Sequence, residues 1–169
     1  MKNLWLFSCV LMFLFSAEAQ EAKTDYPEEV ESIETIVSSI FAIISGEKGE
    51  EGNWELMRSV FHPEARLMTG YQDELKVFSV EDYITTFRES FYNMTFYEKD
   101  VKNKIERFGN LAHVLSTYQA FKTKEMNRPV RTGVASIQLY HDGERWWVLS
   151  MYWKNESKEE QVPTLYLPE

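Results

Sequence analysis

Residues 130–154 read VRTGVASIQLYHDGERWWVLSMYWK, two runs in which apolar and polar side chains alternate around one central turn pair. Alternation with a period of two is typical of strands that bury one face. The pair Asp142-Gly143 tolerates the positive φ angles that a tight hairpin turn requires. The stretch therefore predicts an antiparallel hairpin, with strands at about 130–141 and 144–154.

The same period begins further upstream, at Tyr97, and predicts two more strands at about 97–108 and 111–123, joined by Gly109-Asn110. Before Tyr97 the apolar residues follow helical spacing instead, in three segments at about 30–44, 54–61 and 79–91. A short strand is expected between the second and third helices, at about 65–68. The predicted class is α+β: three N-terminal helices packed on a curved antiparallel meander that forms a cone, a cystatin-like α+β roll.

The chain begins with features of a secretory signal peptide. Lys2 precedes an apolar run, and Ala17-Glu18-Ala19 has the small-x-small pattern of a cleavage site. We expect cleavage before Gln20, so that residues 1–19 are a signal peptide and the protein is exported, periplasmic or secreted. A flexible lead-in at 20–27, one domain at 28–155 and a tail at 156–169 would follow.

Composition narrows the possible partners. The chain has 18 basic and 27 acidic residues, a net charge of −9, which disfavours contact with the phosphate backbone of nucleic acids. The only cysteine, Cys9, lies within the predicted signal peptide, so the mature chain would have no disulfide and no thiol nucleophile. We expect no metal site, because the three histidines show no ligand spacing. We also expect no cofactor, and no membrane association after cleavage.

The turns predict which residues share a face of the sheet. A two-residue turn at Asp142-Gly143 would pair residues whose numbers sum to 285, and the turn at Gly109-Asn110 would pair those that sum to 219. We expect the face with Gly133 and Ala135 to lie beneath the helices, where small residues leave space for a cavity. The polar residues expected to bind a ligand there are Asn103, Ser116, Tyr118, Ser150 and Tyr152. No carboxylate is expected on this cavity face.

The opposite face of the last hairpin carries many large side chains. A monomer rarely exposes such a patch, so we expect a homodimer formed through the backs of the sheets. The predicted dimer surface consists of Tyr140, Arg145, Trp147, Leu149, Met151 and Trp153. If the face assignment is inverted, this surface and the cavity exchange places.

Three stretches resemble the nuclear transport factor 2-like superfamily, also called SnoaL-like. They are residues 61–67, where an aromatic residue precedes His62-Pro63, the strand at 133–139, and the strand with its turn at 142–153. The resemblance implies a cone-shaped pocket and frequent homodimers. Members include isomerases, dehydratases, cyclases and non-enzymatic binding domains, and the enzymes place an Asp–His pair or an Asp with tyrosines in the cavity.

Three functions are compatible with the sequence. The first is binding of a small, largely apolar molecule in the cone, with Asn103, Tyr118 and Tyr152 orienting it. The second is a cofactor-independent lyase or isomerase in which His62, the histidine expected nearest the cavity, is the general base. The third is a dimeric interaction module whose cone is filled by its own side chains. A helix-terminating role for His62 is the alternative to catalysis.

Overall fold

A computed structural model describes residues 26–71 and 74–169. The predicted signal peptide, residues 1–19, lies outside the described residues, as does most of the predicted lead-in at 20–27. Within the described residues, no helix is long and apolar enough to cross a membrane.

Three α-helices precede the main part of the sheet: α1 at Ile33–Ile43, α2 at Trp54–Val60 and α3 at Val80–Tyr92. Short 3-10 helices lie at Glu28–Val30 and Thr164–Tyr166. The predicted N-cap of the third helix is confirmed, because the Ser79 side chain accepts the backbone N–H of Asp82 and the Asp82 side chain accepts that of Ser79. Such reciprocal capping satisfies donors that the first helical turn leaves unpaired.

Six strands form one sheet in the order β2-β1-β6-β5-β4-β3. Their bounds are β1 Phe61–Tyr71, β2 Glu74–Phe78, β3 Tyr97–Phe108, β4 Leu111–Phe121, β5 Arg131–His141 and β6 Trp146–Asn155. All neighbours are antiparallel except β1 and β6, which run parallel. The four-stranded meander and the α+β class are therefore confirmed.

The sheet extends beyond the prediction at one side. The strand expected at 65–68 runs from Phe61 to Tyr71, and β2 was not expected at all. Four of the five residues of β2 are exposed, so its sequence shows no buried face by which a period of two could mark it as a strand.

The predicted register holds for the first hairpin near its turn. Phe108 pairs with Leu111 and Ile105 with Val114, each pair summing to 219. The join between the hairpins is also confirmed, because Ser116 pairs with Ala135 and Tyr118 with Gly133. The face with these residues lies beneath the helices, where Ala135 is fully buried.

The predicted register of the last hairpin is wrong. The turn has four residues, 142–145, and Leu139 pairs with Val148 instead of Trp146. A bulge at Leu149 then shifts the register, so that Ile137 pairs with Met151. Because a shift of one residue turns every later side chain to the other face, Met151 and Trp153 point inward, and Ser150 and Tyr152 point outward.

A second bulge lies in β3. Asp100 pairs with Tyr118 whereas Lys102 pairs with Thr117, which leaves Val101 as the extra residue. On the N-terminal side of this bulge, Asp100 and Glu98 face inward. Strict alternation predicts instead that Asp100 faces outward. The bulge therefore turns Glu98 towards the space between sheet and helices.

Candidate functional site

A cavity of about 1100 Å³ lies between the concave face of the sheet and the helices. Its walls come from α1, β1, α3 and β6, and it reaches the surface beside exposed residues such as Met94 and Val130. Part of the apolar core lines it, including Phe41, Met57 and Leu67. Because a cavity is present, the expectation that side chains of the chain fill the cone is wrong for the described residues.

Aromatic side chains form the inner wall along α3. Tyr83 and Phe87 have ring centroids 4.8 Å apart, and Phe91 follows Phe87 at 6.4 Å. These residues belong to the apolar stripe of α3, spaced by three or four positions so that they share one side of the helix. Trp153 closes the wall from β6, 6.0 Å from Tyr83. The interior thus offers a ligand apolar contacts.

Glu98 is the one carboxylate among the described residues that line the cavity. Its backbone is held to the end of α1, because its N–H donates to Ser45 Oγ at 2.9 Å. Backbone hydrogen bonds between Gly46 and Phe96, at 2.8 and 3.0 Å, fix the start of β3 in the same way. The bulge and these anchors together direct the Glu98 side chain into the cavity.

Burial raises the pKa of Glu98 to about 7, and the nearby positive charge of Arg131 opposes this shift. The cause is the loss of hydration, which disfavours the charged form of a carboxyl group. Near neutral pH the group can therefore exist either as a proton donor or as a proton acceptor. A carboxyl group with such a pKa in a cavity is a candidate for a functional role.

Tyr118 stands beside Glu98 on the same face. Its hydroxyl donates to Asn155 Oδ1 at 2.8 Å, and its ring stacks on Phe41 with centroids 5.5 Å apart. Burial raises the pKa of Tyr118, so its hydroxyl keeps its proton over the physiological range. Gly133 makes room for this ring, because a Cβ at that position would overlap the Tyr118 hydroxyl.

No family model matches the sequence, and no curated protein is significantly similar to it. Solved structures do match. An NTF-2-like protein of unknown function from Silicibacter pomeroyi has a TM-score of 0.52 and 12% identity, over 73% of this chain and 92% of that chain. A putative ketosteroid isomerase from Parabacteroides distasonis has a TM-score of 0.54 and 8% identity, over 78% and 98%. For LinA the TM-score is 0.51 and the identity 8%, over 65% and 80%.

This chain has the nuclear transport factor 2-like fold. The resemblance seen in the sequence is thereby confirmed at the level of fold. At such low identity these likenesses say nothing of the ligand or reaction, which must be argued from the side chains of this chain.

The nuclear transport factor 2-like cone contains only part of the predicted ligand site. Tyr118 lines the cavity, as expected. Asn103 and Ser116 pair across β3 and β4 on the inward face but are not among the lining residues. Asn103 Nδ2 donates to Asp100 at 2.6 Å, while Asn103 Oδ1 and Ser116 Oγ are buried without a partner among the described residues. A bound water is the usual partner of such atoms.

Ser150 and Tyr152 lie outside the cone, so their predicted place in the cavity is wrong. The bulge at Leu149 puts both on the outer face, where Tyr152 is 38% exposed. The spacing of large apolar residues contained a signal of this shift. Inward residues run Trp146 and Val148, then Met151, a step of three where strict alternation requires two.

His62 also lies on the outer side of the cone. Its ring packs edge-on against Trp147, with centroids 5.6 Å apart, and its Nδ1 accepts the backbone N–H of Glu64 at 3.1 Å. Since it is not among the lining residues, the hypothesis of His62 as a base acting in the cavity is wrong. Glu98, which sequence reasoning missed, is the carboxyl group that lines the cavity among the described residues.

The predicted dimer surface is likewise divided by the bulge. Tyr140 and Leu149 are exposed on the outer face. Met151 and Trp153 line the cavity instead, which corrects their assignment. Arg145 is only 4% exposed, since its guanidinium lies 3.7 Å from the Trp147 ring and donates to the backbone carbonyl of Ser59. Trp147 is half-buried beneath it and donates to Asp142 Oδ2 at 2.7 Å.

The described residues contain no group of three or more His, Cys, Asp or Glu side chains placed to hold a metal ion. Besides its apolar walls, the cavity offers the Glu98 carboxyl, the Tyr118 hydroxyl and the cations Lys76, Lys122 and Arg131.

Proposed function

We propose that this protein is an exported binding protein that holds a small, largely apolar molecule in its cone. One observation supports this most: a cavity of about 1100 Å³ with aromatic and aliphatic walls and few polar groups. Small-molecule sites are typically concave and mostly apolar, with volumes of roughly 300–1,000 Å³. The basic, apolar and small-residue features of residues 1–19 support export.

The apolar wall would supply most of the binding free energy. Removal of apolar surface from water contributes about 25 cal/mol per Å². Each contact with the rings of Phe87, Phe91 or Trp153 adds to this contribution without requiring a fixed polar group in the ligand. The polar groups, Glu98 and Tyr118, would orient the molecule.

The test is binding of N-phenyl-1-naphthylamine, a neutral probe whose fluorescence rises in apolar surroundings. Thr86 lines the cavity on an exposed part of α3, whereas its neighbour Thr85 does not line it. Thr86→Trp should place an indole at the mouth and weaken probe binding about tenfold, equal to about 1.4 kcal/mol. Thr85→Trp is the matched control and should leave affinity unchanged. Equal affinities in both variants, or no binding by the wild type, would contradict the proposal.

A second candidate function is cofactor-independent acid–base chemistry on the bound molecule, with Glu98 in the role that the sequence assigned to His62. The pKa of about 7 favours it, because a general base works best when its pKa lies near the working pH. Tyr118, which keeps its proton, could donate a hydrogen bond to a developing oxyanion once it turns from Asn155.

A generic proton-abstraction probe tests this second function. The compound 5-nitrobenzisoxazole releases a coloured phenolate when a base removes its ring proton. We expect turnover that rises as the pH increases through about 7, because the carboxylate is the active form. Glu98→Gln should abolish it, and Glu159→Gln, which removes an exposed carboxylate in the tail, should not. Turnover that survives Glu98→Gln would exclude Glu98 as the base.

A further inference from the structure

The cavity mouth is basic although the chain is acidic. Charged residues lining the cavity are three cations, Lys76, Lys122 and Arg131, and one carboxyl group, Glu98. The whole chain has the opposite balance, 18 basic and 27 acidic residues. A cleft lined by one sign of charge concentrates ligands of the other sign.

Two of these cations, Lys122 and Arg131, lie where β4 ends and β5 begins. Arg131 in β5 pairs with Ala120 in β4. Lys122 follows Ala120 by two residues, the spacing of side chains on the same face of a strand. Both side chains are exposed, and neither makes an ion pair within residues 26–71 and 74–169. Lys76 differs, because Glu74 pairs with it.

Glu98 and Arg131 lie in the same row, but they form no ion pair within residues 26–71 and 74–169. Ala120 pairs with Glu98 on one side and with Arg131 on the other, so the row places one whole strand between them. Strands in a sheet are about 4.8 Å apart, which puts the two backbones roughly 10 Å apart. Because Arg131 is exposed and lines the cavity, its guanidinium can contact a ligand at the mouth.

We propose that the cavity selects an amphipathic anion, an apolar molecule with a single carboxylate or sulfonate that lies between Arg131 and Lys122 at the mouth. This rests on the binding function proposed above and specifies its ligand class. The apolar body would enter the cone, while the anionic group remains at the mouth, because burying an unpaired charge in the apolar interior is costly.

Proton uptake by Glu98 strengthens this selection. The groups that face its carboxyl are Tyr83 from α3, Tyr118 from β4 and Arg131 from β5. When protonated, Glu98 no longer contributes the only negative charge of the described lining, which removes its repulsion of an anionic ligand. Anion affinity should therefore rise as the pH falls through about 7.

Two probes with the same aromatic skeleton test the proposal: neutral N-phenyl-1-naphthylamine and anionic 8-anilinonaphthalene-1-sulfonate. The double variant Lys122→Gln/Arg131→Gln should bind the anionic probe about tenfold more weakly, as expected for two partly exposed charge contacts, and the neutral probe unchanged. The matched control is Lys124→Gln/Arg128→Gln, which removes one lysine and one arginine from the connection between β4 and β5, outside the cavity lining. It should bind both probes like the wild type.

The outcomes separate the two proposals. If the wild type binds neither probe, the binding function itself fails. If it binds the neutral probe but the two double variants bind the anionic probe equally well, only the anion selectivity is overturned. The anionic probe should also bind several-fold more tightly at about pH 6 than at about pH 8, and Glu98→Gln should remove this dependence. An unchanged pH dependence in Glu98→Gln would contradict the role of Glu98.

Discussion

At the scale of single residues, Glu98 and Gly133 carry the character of the cavity. Glu98 brings a carboxyl group of raised pKa into an apolar space. Gly133 leaves the volume that the ring of Tyr118 occupies. The effect of Glu98 depends on the loss of hydration around its carboxyl group. The effect of Gly133 depends on its lack of a side chain.

Glu98→Gln should change the pH dependence of stability. The pKa is about 7 in the folded protein and 4.5 ordinarily, so the folded state binds more protons between these values and stability falls as the pH rises through them. Glu98→Gln does not lose stability in this way. Between about pH 5 and about pH 8, its unfolding free energy should therefore rise by about 1–2 kcal/mol relative to that of the wild type. This is less than the full pKa shift would give, because the group is partly exposed. Urea unfolding at both pH values measures it.

The control for this experiment is Glu159→Gln, which also removes one carboxylate but from an exposed position in the tail. Its unfolding free energy should follow that of the wild type at both pH values. A parallel pH profile for Glu98→Gln and wild type would show that the carboxyl titrates normally.

Gly133→Ala should destabilise the protein by displacing Tyr118. The added Cβ would overlap the Tyr118 hydroxyl and lie 2.7 Å from the backbone oxygen of Lys154, which cannot rotate away. Overpacking of this kind costs about 1–3 kcal/mol, measured by thermal or urea unfolding. The double variant with Tyr118→Leu should lose less than the sum of the single losses, because the overlap with the Tyr118 hydroxyl is removed while only the contact with Lys154 remains. Strict additivity would contradict the assigned contact.

At the scale of elements, the two bulges decide which side chains enter the cone. Strand β3 contains one extra residue, Val101, and β6 contains another, Leu149. At each of them, the side chains of the strand change to the opposite face of the sheet. A bulge re-aims all later side chains and bends the strand. In β3 it brings Glu98 inward, and in β6 it brings Met151 and Trp153 inward.

Adjacent lysine substitutions in β6 test this orientation. Met151 is 7% exposed and lines the cavity, whereas Tyr152 is 38% exposed on the outer face. Met151→Lys should lose about 3 kcal/mol or more of unfolding free energy, because it places an unpaired charge in an apolar environment. Tyr152→Lys should lose much less. The reverse order, observed by urea unfolding, would mean that the strand lacks the bulge.

At the scale of the whole molecule, the C-terminal tail covers part of the outer face of the sheet. Thr117 in β4 donates its hydroxyl to the backbone oxygen of Tyr166 at 2.7 Å, and Lys102 Nζ in β3 donates to that of Leu167 at 2.9 Å. The outer face of β5 and β6, with Tyr140 and Leu149, stays exposed. The homodimer predicted from the sequence would therefore have to form through this smaller surface.

Leu149→Glu tests that prediction. Leu149 is 39% exposed, and in a two-fold dimer each copy would meet its own equivalent surface, so the substitution introduces two like charges at one interface. The wild type should elute as a dimer in size-exclusion chromatography with light scattering, and the variant as a monomer. Leu165→Glu, at a 73% exposed position in the tail, is the matched control. A monomeric wild type would show the homodimer prediction to be wrong.

The order of the three helices and the four meander strands, the Ser79 cap and the turn at Gly109-Asn110 could be predicted from the sequence, because each depends on neighbouring residues and on one buried face. The inward position of Tyr118 also followed from local pattern. The inward position of Glu98 was missed, and the places predicted for Ser150 and His62 were wrong. A bulge is a property of two paired strands, and one extra residue reverses the face of everything beyond it. Tertiary pairing alone therefore decided that the cavity holds a carboxyl group.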